Sequence, residues 1–202
     1  MAFIKVISPQ QASGRLAKIY QQVQSPEGQV DNVLQVHGLR PHTLVGHMAL
    51  YKAVLHHTGN LLPGWYLEAI GVLVSRLNGC DYCASHHAKG MERLLKSAVL
   101  NDQAYISALD QPSPGAPFTI REQKGLSYAH KLTQSPGKID QSDINDLRSA
   151  GFEDGEILEI NQVAAYFAYA NRTVSGLGVN TDNEVLGQSP PTGDDTSGWS
   201  HG

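Results

Sequence analysis

Apolar residues recur at helical spacing along most of the chain, and no stretch alternates with period two for long enough to argue for a sheet. Leu16, Ile19, Tyr20 and Val23 mark a helix over residues 9–24, opened by the Ser8-Pro9 pair. Leu44, Met48, Tyr51 and Leu55 mark a second over 42–57, just after Pro41. Residues 63–77, PGWYLEAIGVLVSRL, are almost wholly apolar and stop at Asn78-Gly79. That pattern predicts a buried helix with one carboxylate, Glu68, inside it. Residues 80–96 form the next helix, and a short one covers 101–108.

The Pro/Gly/Ser-rich run DQPSPGAP, residues 110–117, reads as a linker between two helical halves. Thr119 and Glu122 make a capping box for a helix to Leu132. Asp140 or Ser142 caps a short helix ending at Ala150-Gly151, and residues 153–175 form a long one closed by Gly176 and Gly178. The expectation is an all-α bundle over residues 1–180. Residues 181–202 are polar, Gly/Pro-rich and free of aliphatics after Leu186, which predicts a disordered or extended tail.

Composition fits that picture: 41% apolar and 17% charged residues in 202 positions supply a real core. The net charge of −4 sits in the tail, where Asp182, Glu184, Asp194 and Asp195 face no Lys or Arg, so residues 1–180 are formally neutral. No basic run suited to nucleic acid or anionic lipid is present. No apolar run approaches the roughly 20 residues of a membrane span. MAFIKVISPQQ has no secretory pattern, so a cytoplasmic location is expected, where stable disulfides are rare.

The chemistry concentrates in GCDYCASHH, which holds both cysteines of the chain. A structural zinc site wants four ligands, and there is no second C-x-x-C or H-x3-H. A disulfide closing so short a loop contributes only roughly 2 kcal/mol. A working dithiol remains. Cys80, Cys83 and His87 fall on one helix face, at successive turns, while His86 points about 100° away. Glu68, twelve residues before Cys80, returns beside them if the two helices pack antiparallel. A carboxylate orients an imidazole, the imidazole deprotonates a thiol, and a thiolate attacks peroxide to give a sulfenic acid. A second thiol then condenses with it. The helix terminus favours Cys80 as attacker and the i+4 imidazole favours Cys83. A base in reach removes the proton, so Cys83 is read as attacker and Cys80 as resolver. His37, His42, His47, His56, His57 and His130 show no such pattern and read as surface or helix-end residues. Tyr51, Trp65, Tyr66 and Tyr82 read as core or pocket-lining.

The run EAIGVLVSRLNGCDYCASHH resembles the signature of the AhpD-like alkylhydroperoxidases of the carboxymuconolactone decarboxylase superfamily. Glu68, Cys80, Cys83 and His87 meet each of its positions. The stretch from Thr119 to Val179, with Asn171-Arg172, is similar to the peroxidase-related branch. The resemblance implies an all-helical homo-oligomer, a trimer or hexamer. It implies a hydroperoxide substrate, an external dithiol reductant, and no metal or organic cofactor. It also implies attack by Cys83, resolution by Cys80, and proton transfer by Glu68 with His87. Tyr82 stands where the alkylhydroperoxidase has a histidine of the relay. A tyrosine is a poor base at neutral pH, so Tyr82 and His86 are expected to line a binding pocket. Two other activities stay open: a redox-responsive binding protein without turnover, and a decarboxylase-like reaction on a small lactone.

Overall fold

The computed structural model describes residues 2–25, 28–111 and 113–188, and among these it contains helices and connecting turns but no strand. The helices are α1 (Gly14–Val23), α2 (Asn32–Gln35), α3 (Pro41–Leu55), α4 (Gly64–Leu77), α5 (Asp81–Ser97), α6 (Asp102–Ala108), α7 (Ile120–Gln134), α8 (Gln141–Ser149) and α9 (Asp154–Leu177). Among the described residues no helix is long and apolar enough to cross a membrane.

α4 is the axis of the bundle. Residues 66–75 are buried without interruption, so this helix has no solvent face. Neighbours must cover it on every side, and α5, α7 and α9 do so. The α4–α9 contact is close because position 71 is glycine: a Cβ there would overlap the Phe167 ring. The α4–α7 contact uses the same device at Gly125, where the Tyr66 hydroxyl passes to donate to the Glu122 carbonyl at 2.7 Å. Glu159 of α9 accepts from the backbone N–H groups of Leu61 and Leu62 at 2.8 and 2.9 Å, anchoring the entry to α4. A second apolar cluster joins α1, α2 and α3 through Leu16, Tyr20, Leu34 and Leu44.

Two boundaries differ from the sequence reading. Ser8-Pro9 opens only a 3-10 turn, Pro9–Gln11, because the chain is extended at Ala12 and Ser13 and α1 begins afresh at Gly14. The single turn α2 has no sequence signal long enough to register as a period. The stretch 110–117 joins α6 to α7. Residues 181–188, read as the start of the tail, lie back against α2 and α5, while 189–202 fall outside the described residues.

Candidate active site

Cys80 is the N-cap of α5, held in a non-helical conformation by the turn that ends α4. Gly79 takes φ +66° there, a left-handed conformation that a side chain would strain. The turn sends α5 back along α4. Glu68, 2% exposed inside the apolar helix, thereby meets His87: Oε2 and Nδ1 are 2.6 Å apart. A buried carboxylate needs such a partner. With Nδ1 bonded to Glu68, Nε2 is the ring nitrogen left to take a proton. Gly90 permits the approach, since a Cβ there would lie 3.3 Å from Glu68 Oε1. Phe167 closes the other side, its ring edge-on to His87 with centroids 4.5 Å apart.

Both thiols are free and buried. The Cys83 thiol donates to the Cys80 sulfur, and the Cys83 backbone N–H, Ser175 and Asn171 add to that stabilisation. These bonds outweigh burial and hold the Cys80 thiol well below its ordinary range, at about 6. Cys83 is pushed up, first because its proton is committed to Cys80 and then by burial. The two thiols titrate as a pair in which the anion is favoured at Cys80. Asn171 is itself fixed: it accepts from Asn78 Nδ2 at 2.9 Å and donates to Ser75 Oγ at 3.0 Å.

Cys83, Glu68, His86 and His87 line one cavity of about 60 Å³, walled further by His47, Tyr51, Tyr82 and Tyr166. Cys83 and His87 share it without a direct hydrogen bond. Burial raises the hydroxyls of Tyr51 and Tyr166 well above the ordinary phenol range, so both remain protonated donors. Cys80 faces a separate depression beside Ser175, Gly178 and Thr181.

Tyr82 and His86 do line the cavity wall, but their polar atoms are engaged elsewhere. Tyr82 donates its hydroxyl to Glu184 Oε1 at 2.6 Å and accepts from the Val33 N–H at 3.2 Å. His86 Nε2 lies 2.7 Å from the same carboxylate oxygen, off the direction of a straight hydrogen bond. Asp31, His86 and Glu184 bring three possible metal ligand atoms within 4.8 Å of one another. His86 Nδ1 accepts the Gly187 N–H at 3.5 Å.

His37 and His47 correct the sequence reading, and His56, at the helix end as read because it is the C-cap of α3, is buried too. They are 8, 4 and 7% exposed rather than surface residues. α9 covers His47, whose ring lies 5.8 Å from those of Tyr166 and Tyr169. Burial drives His47 down to about 3 and His56 to about 4, so both stay neutral. Sequence reasoning also missed Glu184, which sits in a stretch with no periodicity, and gave no role to Asn171 beyond the likeness.

No protein-family model matches the sequence, and no curated protein does. Solved structures do. One is the core of an alkylhydroperoxidase AhpD, an uncharacterised peroxidase-related protein from Ralstonia eutropha: TM-score 0.75, 21% identity, covering 90% of this chain and 93% of that one. A second is an uncharacterised peroxidase-related protein from Silicibacter: TM-score 0.70, 28% identity, covering 80% and 82%. A third is a cysteine-to-alanine variant of the debrominase Bmp8 in complex with 2,3,4-tribromopyrrole: TM-score 0.64, 18% identity, covering 91% and 95%. The architecture is the AhpD-like helical fold. The chain is similar to two peroxidase-related proteins of that fold.

Proposed function

We propose that the chain is a thiol peroxidase that reduces hydroperoxides through Cys83 and Cys80. The observation that carries this reading is the Glu68–His87 pair, 2.6 Å apart on the wall of the cavity that Cys83 also lines. The thiol pKa ordering runs against this assignment, because it leaves the anion on Cys80; the cavity and the base support Cys83 instead. Attack takes place where the substrate and the base are, at Cys83. His87 takes the Cys83 proton, directly or through a water, and passes it to the departing alkoxide. The S–O bond forms as the O–O bond breaks, giving Cys83 sulfenic acid and an alcohol. Cys80, already a thiolate at neutral pH, then attacks the Cys83 sulfur. Hydroxide leaves, takes up a proton as water, and a disulfide remains. An external dithiol restores the pair by exchange.

Peroxide consumption with dithiothreitol as donor tests the reading. Turnover by the wild type and its loss in Cys83→Ser support it; equal rates in both sink it. A homo-oligomer, a trimer or hexamer, belongs to the same reading and is checked by light scattering.

A second reading comes from the debrominase of the same fold that binds 2,3,4-tribromopyrrole, and it requires the wall of the cavity, about 60 Å³ in volume, to open for such a ring. A dithiol supplies two electrons, the number needed to replace a C–Br bond by C–H with release of bromide. Bromide release from a bromopyrrole, measured on the same protein, separates the two.

A further inference from the structure

The segment after α9 has contacts that neither the thiols nor the relay explains. From Asn180 it is fastened to α2 and to α5, and its residues Gly187 and Gln188 reach the cavity wall. On the α2 side, the Asn32 backbone N–H donates to Glu184 Oε2 at 3.2 Å. Asn32 Nδ2 donates to the carbonyls of Asn180 and Asp182 at 2.9 and 3.1 Å. On the α5 side, Tyr82 and His86 hold Glu184 Oε1, and Arg93 donates to the Gly187 carbonyl at 2.6 Å. The Glu184 side chain is only 4% exposed, so its charge depends on these partners.

Gly187 fits where little else could. Its φ is +78°, and a Cβ would come within 2.7 Å of Lys89 Cβ and 3.1 Å of the Gly90 nitrogen. Gly187 and Gln188 then form part of the cavity lining. With this segment in place the cavity measures about 60 Å³. A pocket for a drug-sized ligand measures roughly 300–1,000 Å³. A few water molecules fit, and so does hydrogen peroxide; a bulky aryl hydroperoxide does not.

We propose that residues 180–188 are the selectivity wall of the thiol cavity, positioned by Glu184, and that this wall restricts the site to small hydroperoxides. The proposal rests on the peroxidase reading for the identity of the substrate, but not for the wall itself. Glu184 is a positioning residue: it acts through Tyr82, His86 and Asn32 and touches no reacting atom. Removing its carboxylate leaves the Tyr82 hydroxyl and His86 without their partner and frees the segment from α2 and α5 together.

The test uses the full chain as wild type, Glu184→Ala, Glu184→Gln and Gly187→Ala. The first measurement needs no turnover. Thiol alkylation rates are taken with iodoacetamide and with the bulkier N-phenylmaleimide, and their ratio is normalised to free cysteine. In Glu184→Ala and Gly187→Ala the bulky reagent gains at least about tenfold over the small one. Glu184→Gln, which keeps an acceptor for Tyr82 and Asn32, stays nearer the wild type. The second measurement is kcat/KM for hydrogen peroxide against cumene hydroperoxide, where the wild-type preference for the small substrate collapses in the same two variants. An unchanged alkylation ratio in both variants, with native circular dichroism, overturns the wall. A shifted ratio in a protein that turns over no peroxide keeps the wall and removes the peroxidase reading. A purely structural loss speeds both reagents alike, or slows both peroxides alike, and that outcome overturns the proposal too.

Discussion

Glu68 and His87 are 19 positions apart in the chain and 2.6 Å apart in the fold. Two antiparallel helices joined at Asn78-Gly79 make the contact, and Gly90 leaves room for it. The imidazole is thereby oriented by a carboxylate that water scarcely reaches. Replacing His87 with Gln removes the base and lowers peroxidase kcat/KM by about 10²-fold or more. Replacing Glu68 with Gln keeps the shape but loses the charge, and a smaller loss is expected, about tenfold. Steady-state rates with dithiothreitol, beside melting curves, check both. Rates equal to wild type in folded His87→Gln would take the pair out of the mechanism.

The two thiols differ in what they can trap. Cys80→Ser still allows Cys83 to attack once, so a sulfenic acid accumulates and reacts with dimedone, one label per chain. Cys83→Ser leaves the resolver without its target, and neither label nor disulfide forms with stoichiometric peroxide. Mass spectrometry of the two variants decides it. Dimedone on Cys80 in the Cys83→Ser protein would exchange the roles.

The Cys80 thiolate rests on the Cys83 thiol and N–H, Ser175 and Asn171. A lowered thiol pKa means that the anion is present above the new value and lost as pH falls through it. Alkylation of Cys80 by iodoacetamide therefore rises with a midpoint near pH 6 and is flat by pH 8. Asn171→Ala and Ser175→Ala each move the midpoint upward. A wild-type midpoint near 9 would mean that these bonds do not hold the anion.

Gly71 governs both the core and the site. A methyl group there overlaps Phe167, and Phe167 is the ring packed on His87. Gly71→Ala must push α4 and α9 apart or turn the Phe167 ring, at a cost of about 1–3 kcal/mol. Urea unfolding reads the stability, and kcat reads the displaced imidazole. Loss of stability with unchanged kcat would show that Phe167 does not position His87.

Much of this was legible in the sequence because its signals are periodic. The run Trp65–Ser75 announces a buried helix by its unbroken apolarity, and a lone Glu68 within it must find a partner. Cys80, Cys83 and His87 share a face by arithmetic alone. Glu184 could not be read in this way. Its partners, Asn32, Tyr82 and His86, are about 100 or more positions distant, and the segment around it is polar and aperiodic, like any solvated terminus. The order of the thiol pKa values was hidden for a different reason. It depends first on which thiol donates to the other, which spacing alone leaves symmetric, while Ser175 and Asn171 of α9 add less. Among the buried histidines His47 misled, because it looks polar in a pattern, whereas packing against α9 decides its exposure.

Those histidines give the fold a pH limit. In the folded chain His47 titrates at about 3 and His56 at about 4, with burial the main cause in each. In the unfolded chain both return to about 6.5. Above that value both states carry neutral rings and nothing changes. Between pH 6.5 and 4 the unfolded chain binds two protons that the folded chain refuses, so stability falls as pH falls. Each ring contributes a slope of about 1.4 kcal/mol per pH unit. Below pH 4 His56 charges within the fold and the slope halves. His37, also lowered by burial, adds in the same direction. Urea midpoints at pH 7, 6 and 5 lie above the range where ordinary carboxylates titrate, and the Cys80 thiol, held at about 6, adds to the fall between pH 7 and 6, so the series is repeated in Cys80→Ser to isolate the imidazoles. Stability is expected to drop steadily across that series in the wild type. His47→Gln reduces the slope by about 1.4 kcal/mol per unit. A slope unchanged by that substitution would mean that His47 charges within the fold as readily as outside it, and that the wall of the thiol cavity is wet where the packing of His47 makes it dry.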